Sequence, residues 1–550
     1  MQFFDLQKFR SLAFRRDPEP DHPLLDEAAA RMVFADLPPG DAPAGLAEVT
    51  HWVTTMNQTE SFTPGRRARV LMELDDPARG LWHSLGDAFL KPDGRPAVGR
   101  DGNIAILQAL LDSATEFAHG YALCLAGEPP SRWVQRNYAQ LALRRMRWLG
   151  RRLILANMLH LPLVDELWEA AHWLLHEAEG RQADRTVLPV FTGDTHPSSV
   201  KLEYVRLLMV EIANPDAMLG REVELVYRIT QRLAPAAKLE PEALPNALYA
   251  VPPTGARRPG LVRRRKSWPE GTLYLDTSNC LQRLRAMMER DMGADSTQPD
   301  TLFGDEYTLG ERQAMLERLM GLWGLDPPQR RTPRVRLQAD AQVLGGLQSV
   351  LANLPVFDQG GWTGSKAETT GSLRIQLDHS GKLLREKSNA AAIRRAPARV
   401  VDVSDSGLGL ALRRSDAVWA MLDVLLAVRL DDSEDWIVGV IRRITAEQGE
   451  LRLGVQVLAR NPQVLWYKME KVGSSLWELE ATRDRAFLEH FQRGILLNSD
   501  GQGVDALRAG DLLVGPGLAS PGAPLDVPLA KAVTRLRVLA VREAGEDSIA

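Results

Sequence analysis

Two groups of residues in this 550-residue chain have the types and spacing to grip one ligand from two sides. The first is Arg330-Arg331-Thr332-Pro333-Arg334; the second, about seventy residues on, is Asp402-Val403-Ser404-Asp405-Ser406-Gly407, set between short apolar runs. Guanidinium groups pair bidentately with phosphate oxygens and lie flat on purine rings. An ionised carboxylate only accepts hydrogen bonds, which suits the N1 and N2 donors of guanine, whereas a serine hydroxyl both donates and accepts. Gly407 permits positive φ and a close approach of backbone to ligand. A dinucleotide, with two phosphates and two purines, rewards all of these groups at once.

The surrounding sequence must hold the two groups on rigid elements. Asp326-Pro327-Pro328 ends a helix, and Pro333 forces Thr332 towards an extended conformation, so the arginines lie on a stiff lead into a strand. Val335, Leu337 and Ala339 alternate with Arg336, Gln338 and Asp340, the period of a half-buried strand. Val400-Val401 enter the second group and Leu408, Leu410 and Leu412 leave it, which makes Asp402 to Gly407 a turn between strands. Further strands read at Val424 to Leu430, at Trp436 to Arg443 and, after the turn Glu447-Gln448-Gly449-Glu450, at Leu451 to Val457. Several short strands at regular spacing indicate a small closed β-barrel.

This order of motifs and strands, over about residues 326 to 465, resembles the PilZ family of cyclic di-GMP receptors with its RxxxR and DxSxxG signatures. The resemblance implies a six-stranded antiparallel β-barrel that binds cyclic di-GMP without a cofactor. It implies ligand-binding roles for Arg330, Arg331, Arg334, Asp402, Ser404 and Gly407. The chain departs from the family pattern in one respect: a segment of about 341 to 398 intervenes between the arginines and the turn. It carries a helical pattern (Val343, Leu344, Leu347, Val350, Leu351, Leu354) and then a polar stretch around Gly360 to Ser365. A long surface loop costs little more entropy than a medium one, so a barrel can carry it. Arg395 to Arg399 also spells RxxxR, but it stands too close to Asp402 to leave room for an intervening strand.

Length and composition bound the remainder. A chain of this size exceeds one usual hydrophobic core, so two or three domains are expected. With 71 acidic and 67 basic residues the net charge is -4, which argues against a general nucleic-acid binder. Two cysteines, Cys124 and Cys280, make neither a disulfide framework nor a zinc site. The first ten residues offer no secretory core and no apolar run reaches membrane-spanning length, so the protein is expected in the cytoplasm.

Apolar spacing and caps predict helices opened by Asp41 and Pro43 and near Pro64, then at about 103–125, 131–160, 164–179, 198–213 and 219–233. Thr308 and Glu311 form a capping box for a last helix to about Trp323. The fold class is therefore multidomain α+β. An arm (1–38) precedes an all-helical domain (39–250) suited to a protein partner. A basic linker with a connecting helix (251–325) leads to the barrel with its insertion (326–465), and a helix at 483–493 with a small extra β-unit completes the chain (466–550).

Several clusters invite chemistry and are read as structural. Arg132, Arg136, Arg144, Arg145, Arg147, Arg151 and Arg152 are taken as a solvated basic face paired with acidic helices. Arg257, Arg258, Arg263, Arg264, Arg265 and Lys266 are taken as a flexible basic linker. His172 and His176 lack a third metal ligand, Ser380-Gly381-Lys382 is not a phosphate loop, and there is no GxSxG elbow, so neither a metal nor a catalytic residue is assigned. The reading is a non-enzymatic signalling effector, in which cyclic di-GMP binding is passed from barrel to helical domain and so to a protein partner. The alternative is a degenerate barrel that acts as a protein scaffold without nucleotide.

Overall fold

Helices of the first unit begin where the sequence supplies caps. In the computed structural model, Asp26 accepts from two backbone amides at the start of α1 (Glu27–Ala35), and Asp41 does the same for one amide of α2 (Ala42–Gln58) with Pro43 in its first turn. The structure describes residues 22–37, 40–90, 100–127, 131–162, 164–253, 258–264, 267–292, 303–304, 306–324, 333–359, 376–377, 383–384, 395–447, 449–469, 491–497, 511–515, 521–529 and 532–540. The chain divides into two units, residues 1–329 and 330–550.

In the first unit α3 (Pro64–Leu90), α4 (Arg100–Ala126), the short α5 (Arg132–Arg136), α6 (Tyr138–Met158), α7 (Val164–Gly180), α8 (Val200–Ile212) and α9 (Gly220–Leu233) follow in order. They close on one hydrophobic core that includes Phe117, Tyr121, Trp148, Trp168 and Tyr204. α6 is its hub, buried along most of its length. Of the arginines expected on a solvated face, Arg132 and Arg136 are exposed, but Arg144 is buried and Arg145, Arg147, Arg151 and Arg152 are largely covered. Arg144, Arg147 and Arg151 recur at helical spacing on α6 and tie it to three neighbours. Arg144 pairs with Asp75 at 3.4 Å and Asp76 at 2.8 Å on α3, Arg147 with Glu203 at 2.8 Å on α8, and Arg151 with Glu224 at 3.3 Å on α9. The charge run was read as surface because a guanidinium buried against a carboxylate from a distant helix leaves no local trace.

Burial sets the charge states here. It pushes the Asp75 carboxyl up to about 6, against the pull of Arg144 and hydrogen bonds donated by Tyr121 and Trp148. Glu203 behaves oppositely. Burial disfavours its charge, but Arg147 and then Arg206, with hydrogen bonds from Arg147 and Ser198, hold it well below the usual carboxylate range.

The end of the stretch expected to be all-helical (39–250) and the expected basic linker with one helix (251–325) carry more structure. Four short strands, β1 (Lys238–Glu240), β2 (Tyr249–Val251), β3 (Gly260–Leu261) and β4 (Leu273–Asp276), form a sheet in the order β1-β4-β2-β3. Strands of two to four residues are too short to display a period. Then come α10 (Ser278–Met292) and α11 (Leu309–Trp323), the latter opened by the expected Thr308–Glu311 capping box. Arg258 pairs with Glu211 at 3.2 Å and Asp216 at 3.5 Å, which fixes one member of the basic cluster; Arg257, Arg265 and Lys266 lie outside the described residues.

The second unit contains the expected closed antiparallel barrel. Its strands are β5 (Val335–Gly345), β8 (Arg395–Ser404), β9 (Gly407–Arg413), β10 (Leu425–Leu430), β11 (Ile437–Glu447) and β12 (Glu450–Arg460), in the spatial order β10-β11-β12-β9-β8-β5. Val343, Val400, Leu410, Leu426, Ile441 and Leu453 fill its interior. The insertion is shorter than expected. Ala341 to Leu344 pair with Arg395 to Ala398, so only 346–394 lies between β5 and β8, within a single hairpin connection. The spacing of Val343, Leu344 and Leu347 looked helical because Val343 enters the barrel while Leu344 is buried on its outer side, which erases alternation. A helix does follow, the five-residue α12 (Leu347–Leu351), and two-residue strands β6 (Gln376–Leu377) and β7 (Leu383–Leu384) pair farther along.

The extra β-unit is a five-stranded sheet of β13 (Gln463–Met469), β14 (Gln492–Leu496), β15 (Leu512–Leu513), β16 (Pro524–Leu529) and β17 (Ala532–Arg537), ordered β15-β14-β13-β16-β17. The helix expected at 483–493 lies largely outside the described residues, and its end is strand β14. Leu344, Leu425, Ala427 and Val438 on the outside of the barrel share one core with α12, Val464, Ile495 and Leu513. The first residues of the insertion help join the two sheets: Val464 and Phe357 exchange backbone hydrogen bonds with the 355–357 stretch and β13, and the Gln359 side chain donates to carbonyls of Trp466 and Pro528.

Candidate functional site

Cross-strand partners share a face of a sheet, and on the barrel exterior the register sets a row of four. Asp402 stands opposite Gly409, Gly409 opposite Gly454, and Gly454 opposite Arg443. Two glycines in the middle leave a trough floored by backbone, with a carboxylate on one bank and a guanidinium on the other. A Cβ on Gly409 would stand 2.6 Å from an Asp402 oxygen, and one on Gly454 3.1 Å from the Arg443 Cβ, so side chains there would fill the space. In the adjoining row Ser404 is opposite Gly407 and Gly407 opposite Gln456.

Two bulges aim the charged groups outward. Strand parity would send Asp402 into the barrel with Val400, but an irregularity between Val400 and Asp402 inserts Val401 and turns the carboxylate to the outside. A second, between Ile441 and Arg443, presents Arg442 and Arg443 outward while Ile441 and Ile444 stay in the core.

Over the trough lies a pocket of about 570 Å³. Arg334, Asp402, Ser404 and Gly407 line it, so the structure brings together the described members of both sequence groups. Arg330 and Arg331 lie outside the described residues. Arg334 donates from Nη1 to Asp402 Oδ1 at 2.6 Å, each side chain about a quarter exposed, and Ser404 Oγ donates to the Gly407 carbonyl at 3.3 Å. Arg395 and Arg399 belong to the same strand as Asp402; Arg399 reaches Glu450 at 3.4 Å and does not line the pocket.

Sequence reasoning missed Arg442, Arg443, Arg452 and Gln456, which complete the lining. Their signal was the pair of arginines closing the apolar run Trp436 to Ile441. Arg442 donates to Gln456 at 2.9 Å and pairs with Asp423 at 2.5 Å, while Arg452 pairs with Glu447 at 2.8 Å. Arg336 is opposite Asp402 in the register. Four lining arginines face Asp402 and Glu447, with Asp423 behind Arg442, which leaves positive charge in excess and suits an anionic ligand.

Other candidates resolve as structure. His172 is buried and its Nδ1 lies 2.6 Å from the Tyr204 hydroxyl. Among the described residues no three His, Cys, Asp or Glu side chains gather as a metal site would need. No described helix is long and apolar enough to cross a membrane.

Comparison with known proteins bears on the first unit. Residues 28–243 match the family model described as the N-terminal domain of the cyclic-di-GMP receptor FimW. The match runs from α1 through β1 and stops before the barrel. No curated protein matches the chain.

Proposed function

We propose that the protein is a cytoplasmic signalling effector whose PilZ-like barrel binds cyclic di-GMP over the glycine trough and passes that event to a helical protein-interaction domain. The observation that carries the reading is the meeting of Arg334, from the lead into β5, with Asp402, from the β8–β9 hairpin, above a pocket of suitable charge. The receptor family matched by residues 28–243 supports it from the other unit.

In this reading the ion pair holds both groups ready. Asp402 accepts from the guanine N1 and N2 donors, Arg334 and Arg443 take phosphate or purine, and Arg330 and Arg331 close over the ligand from the chain before Arg334. No catalytic residue is assigned. Transmission rests on linkage: a ligand that favours one pose of the arginine segment by about 1–3 kcal/mol biases whatever is attached to that segment. The Pro327-Pro328 connection proposed to carry it lies outside the described residues.

The test is calorimetric titration with cyclic di-GMP at low micromolar protein, repeated with Arg334→Ala. Saturable binding that the substitution weakens supports the reading. An absence of binding by the wild type, with the barrel folded, favours the second reading, a nucleotide-free scaffold, to which the 346–394 insertion lends weight. Chromatography of the nucleotide after incubation should recover it unchanged.

A further inference from the structure

The first unit holds a second charged cavity, which the barrel reading does not use. It measures about 550 Å³ and lies between α3, α6, α8, α9 and the 191–196 loop. Six arginines, Arg79, Arg147, Arg151, Arg206, Arg228 and Arg232, line it against two carboxylates, Asp194 and Glu224. Glu203 lies behind the wall and is shared by Arg147 and Arg206, while Arg228 also reaches Glu306 at 3.3 Å and Asp87 at 3.7 Å.

Two further features distinguish this cavity from a set of structural ion pairs. Its arginines are pre-oriented on aromatic faces: Arg151 lies 4.6 Å from the ring centroids of both Trp82 and Tyr227, and Arg206 4.3 Å from Tyr227. Three buried donors of the lining, Trp82 Nε1, Arg206 Nε and the Tyr227 hydroxyl, find no acceptor among the described residues. Unmet buried donors are costly, and here they concentrate where positive charge is in excess.

We propose that this cleft is a second ligand site, for the phosphate or diphosphate group of a small molecule, separate from the barrel pocket. A phosphate supplies several acceptor oxygens to fixed guanidinium forks, the chemistry for which buried, stacked arginines are suited. His83 reports the local potential. Crowding by protein atoms, then the charges of Arg151, Arg79, Arg228 and Arg147, push its imidazole down to about 4. Because the side chain is exposed at the rim, the arginine field is the contribution we weight.

The probes are inorganic phosphate, pyrophosphate, GTP and cyclic di-GMP, titrated against the full-length protein in chloride buffer of constant ionic strength. Saturable binding of pyrophosphate is expected, weakened about tenfold or more by Arg228→Gln and unchanged by Arg334→Ala. Tighter binding of GTP than pyrophosphate would identify the source as a nucleotide; equal affinities, a free diphosphate. Should Arg228→Gln fail to fold, Arg79→Gln serves, and in the wild type the His83 imidazole resonance should titrate at higher pH once pyrophosphate is bound. No saturation by any probe, or pyrophosphate binding that Arg334→Ala abolishes while the His83 resonance stays fixed, overturns the proposal. Because the barrel reading is tested by Arg334 and this one by Arg228 and His83, either can fail alone.

Discussion

The barrel pocket and the helical cleft are close in size, about 570 and 550 Å³, and both are lined with arginine, yet they hold it in contrasting ways. In the barrel, Arg334 and Arg452 are 27% and 51% exposed, and each is tied by one carboxylate at the water's edge. In the helical cleft Arg206 and Arg151 are 4% and 13% exposed and stacked on rings, while Arg228 and Arg79 at the rim are 21% and 34% exposed. The difference separates two uses of one side chain. Exposed guanidinium groups, on the barrel hairpin and at the rim of the helical cleft, can exchange a protein partner for a ligand at small cost, whereas the fully buried ones are part of what holds the helices together.

The largest effect should come from breaking the buried side of that contrast. Glu203→Ala leaves Arg147 and Arg206 without their common counter-charge and should cost about 3–5 kcal/mol of stability in chemical denaturation. Glu447→Ala, beside half-exposed Arg452, should cost no more than about 1 kcal/mol. Equal losses would dissolve the distinction.

Next in size is the barrel's ligand energy. Arg334→Ala should weaken cyclic di-GMP binding by about 2 kcal/mol or more with an unchanged melting temperature, because its charge-assisted contacts form with ligand and its ion pair is exposed. Arg399→Ala, on the same barrel but outside the pocket, is the control and should change affinity little. Unaltered affinity in the Arg334 variant would reject the site.

Asp402→Asn sharpens the comparison further, with an expected change of about 1–2 kcal/mol. A pocket that worked by positive charge alone would bind an anionic dinucleotide more tightly once the carboxylate is gone. Base recognition predicts the reverse: weaker cyclic di-GMP binding and a reduced preference over cyclic di-AMP, whose adenine edge lacks the N1 and N2 donors. Tighter binding of both nucleotides would mean that Asp402 only positions Arg334.

The smallest expected effect is a pH dependence. The Glu203 carboxyl lies below its ordinary value of 4.5 in the folded protein, so its contribution to stability is complete above that pH. Below it the unfolded chain takes up a proton that the folded protein does not. The wild type's advantage over Glu203→Gln in thermal melts should therefore hold near neutrality and shrink as pH falls under about 4.5. An advantage that stayed constant would place the value of Glu203 in packing rather than charge.

The same contrast accounts for what the sequence made legible. The barrel site could be read because its first half lies within five residues before a strand and its second within six residues at the tip of one hairpin, although only Asp405 and Ser406 form the turn expected over Asp402 to Gly407. The helices were legible where an N-cap such as Asp41 or Thr308 met an apolar period. Arg443 and Gly454 were not, since their role depends on a bulge and on register with a strand far along the chain. The helical cleft was missed for the same reason at larger scale: its lining comes from four helices and a loop spread between residues 79 and 232. The extra β-unit was expected only after the helix at 483–493, whereas β13 begins it at Gln463, because the Asn461-Pro462 turn marks the end of a strand but not a change of sheet.

The core shared by α12, the five-stranded sheet and the outside of β5, β10 and β11 also gives the barrel a front and a back. A partner approaching from the back would meet the second sheet rather than barrel strands. The floor of the glycine trough lies on other strands, with Arg334 and Asp402 beside it about a quarter exposed among the described residues, and there a bound nucleotide would itself become part of the exposed surface. A partner could then sense occupancy by touching the ligand and the rim together, a composite epitope that exists only in the loaded state and requires no rearrangement of the strands beneath it.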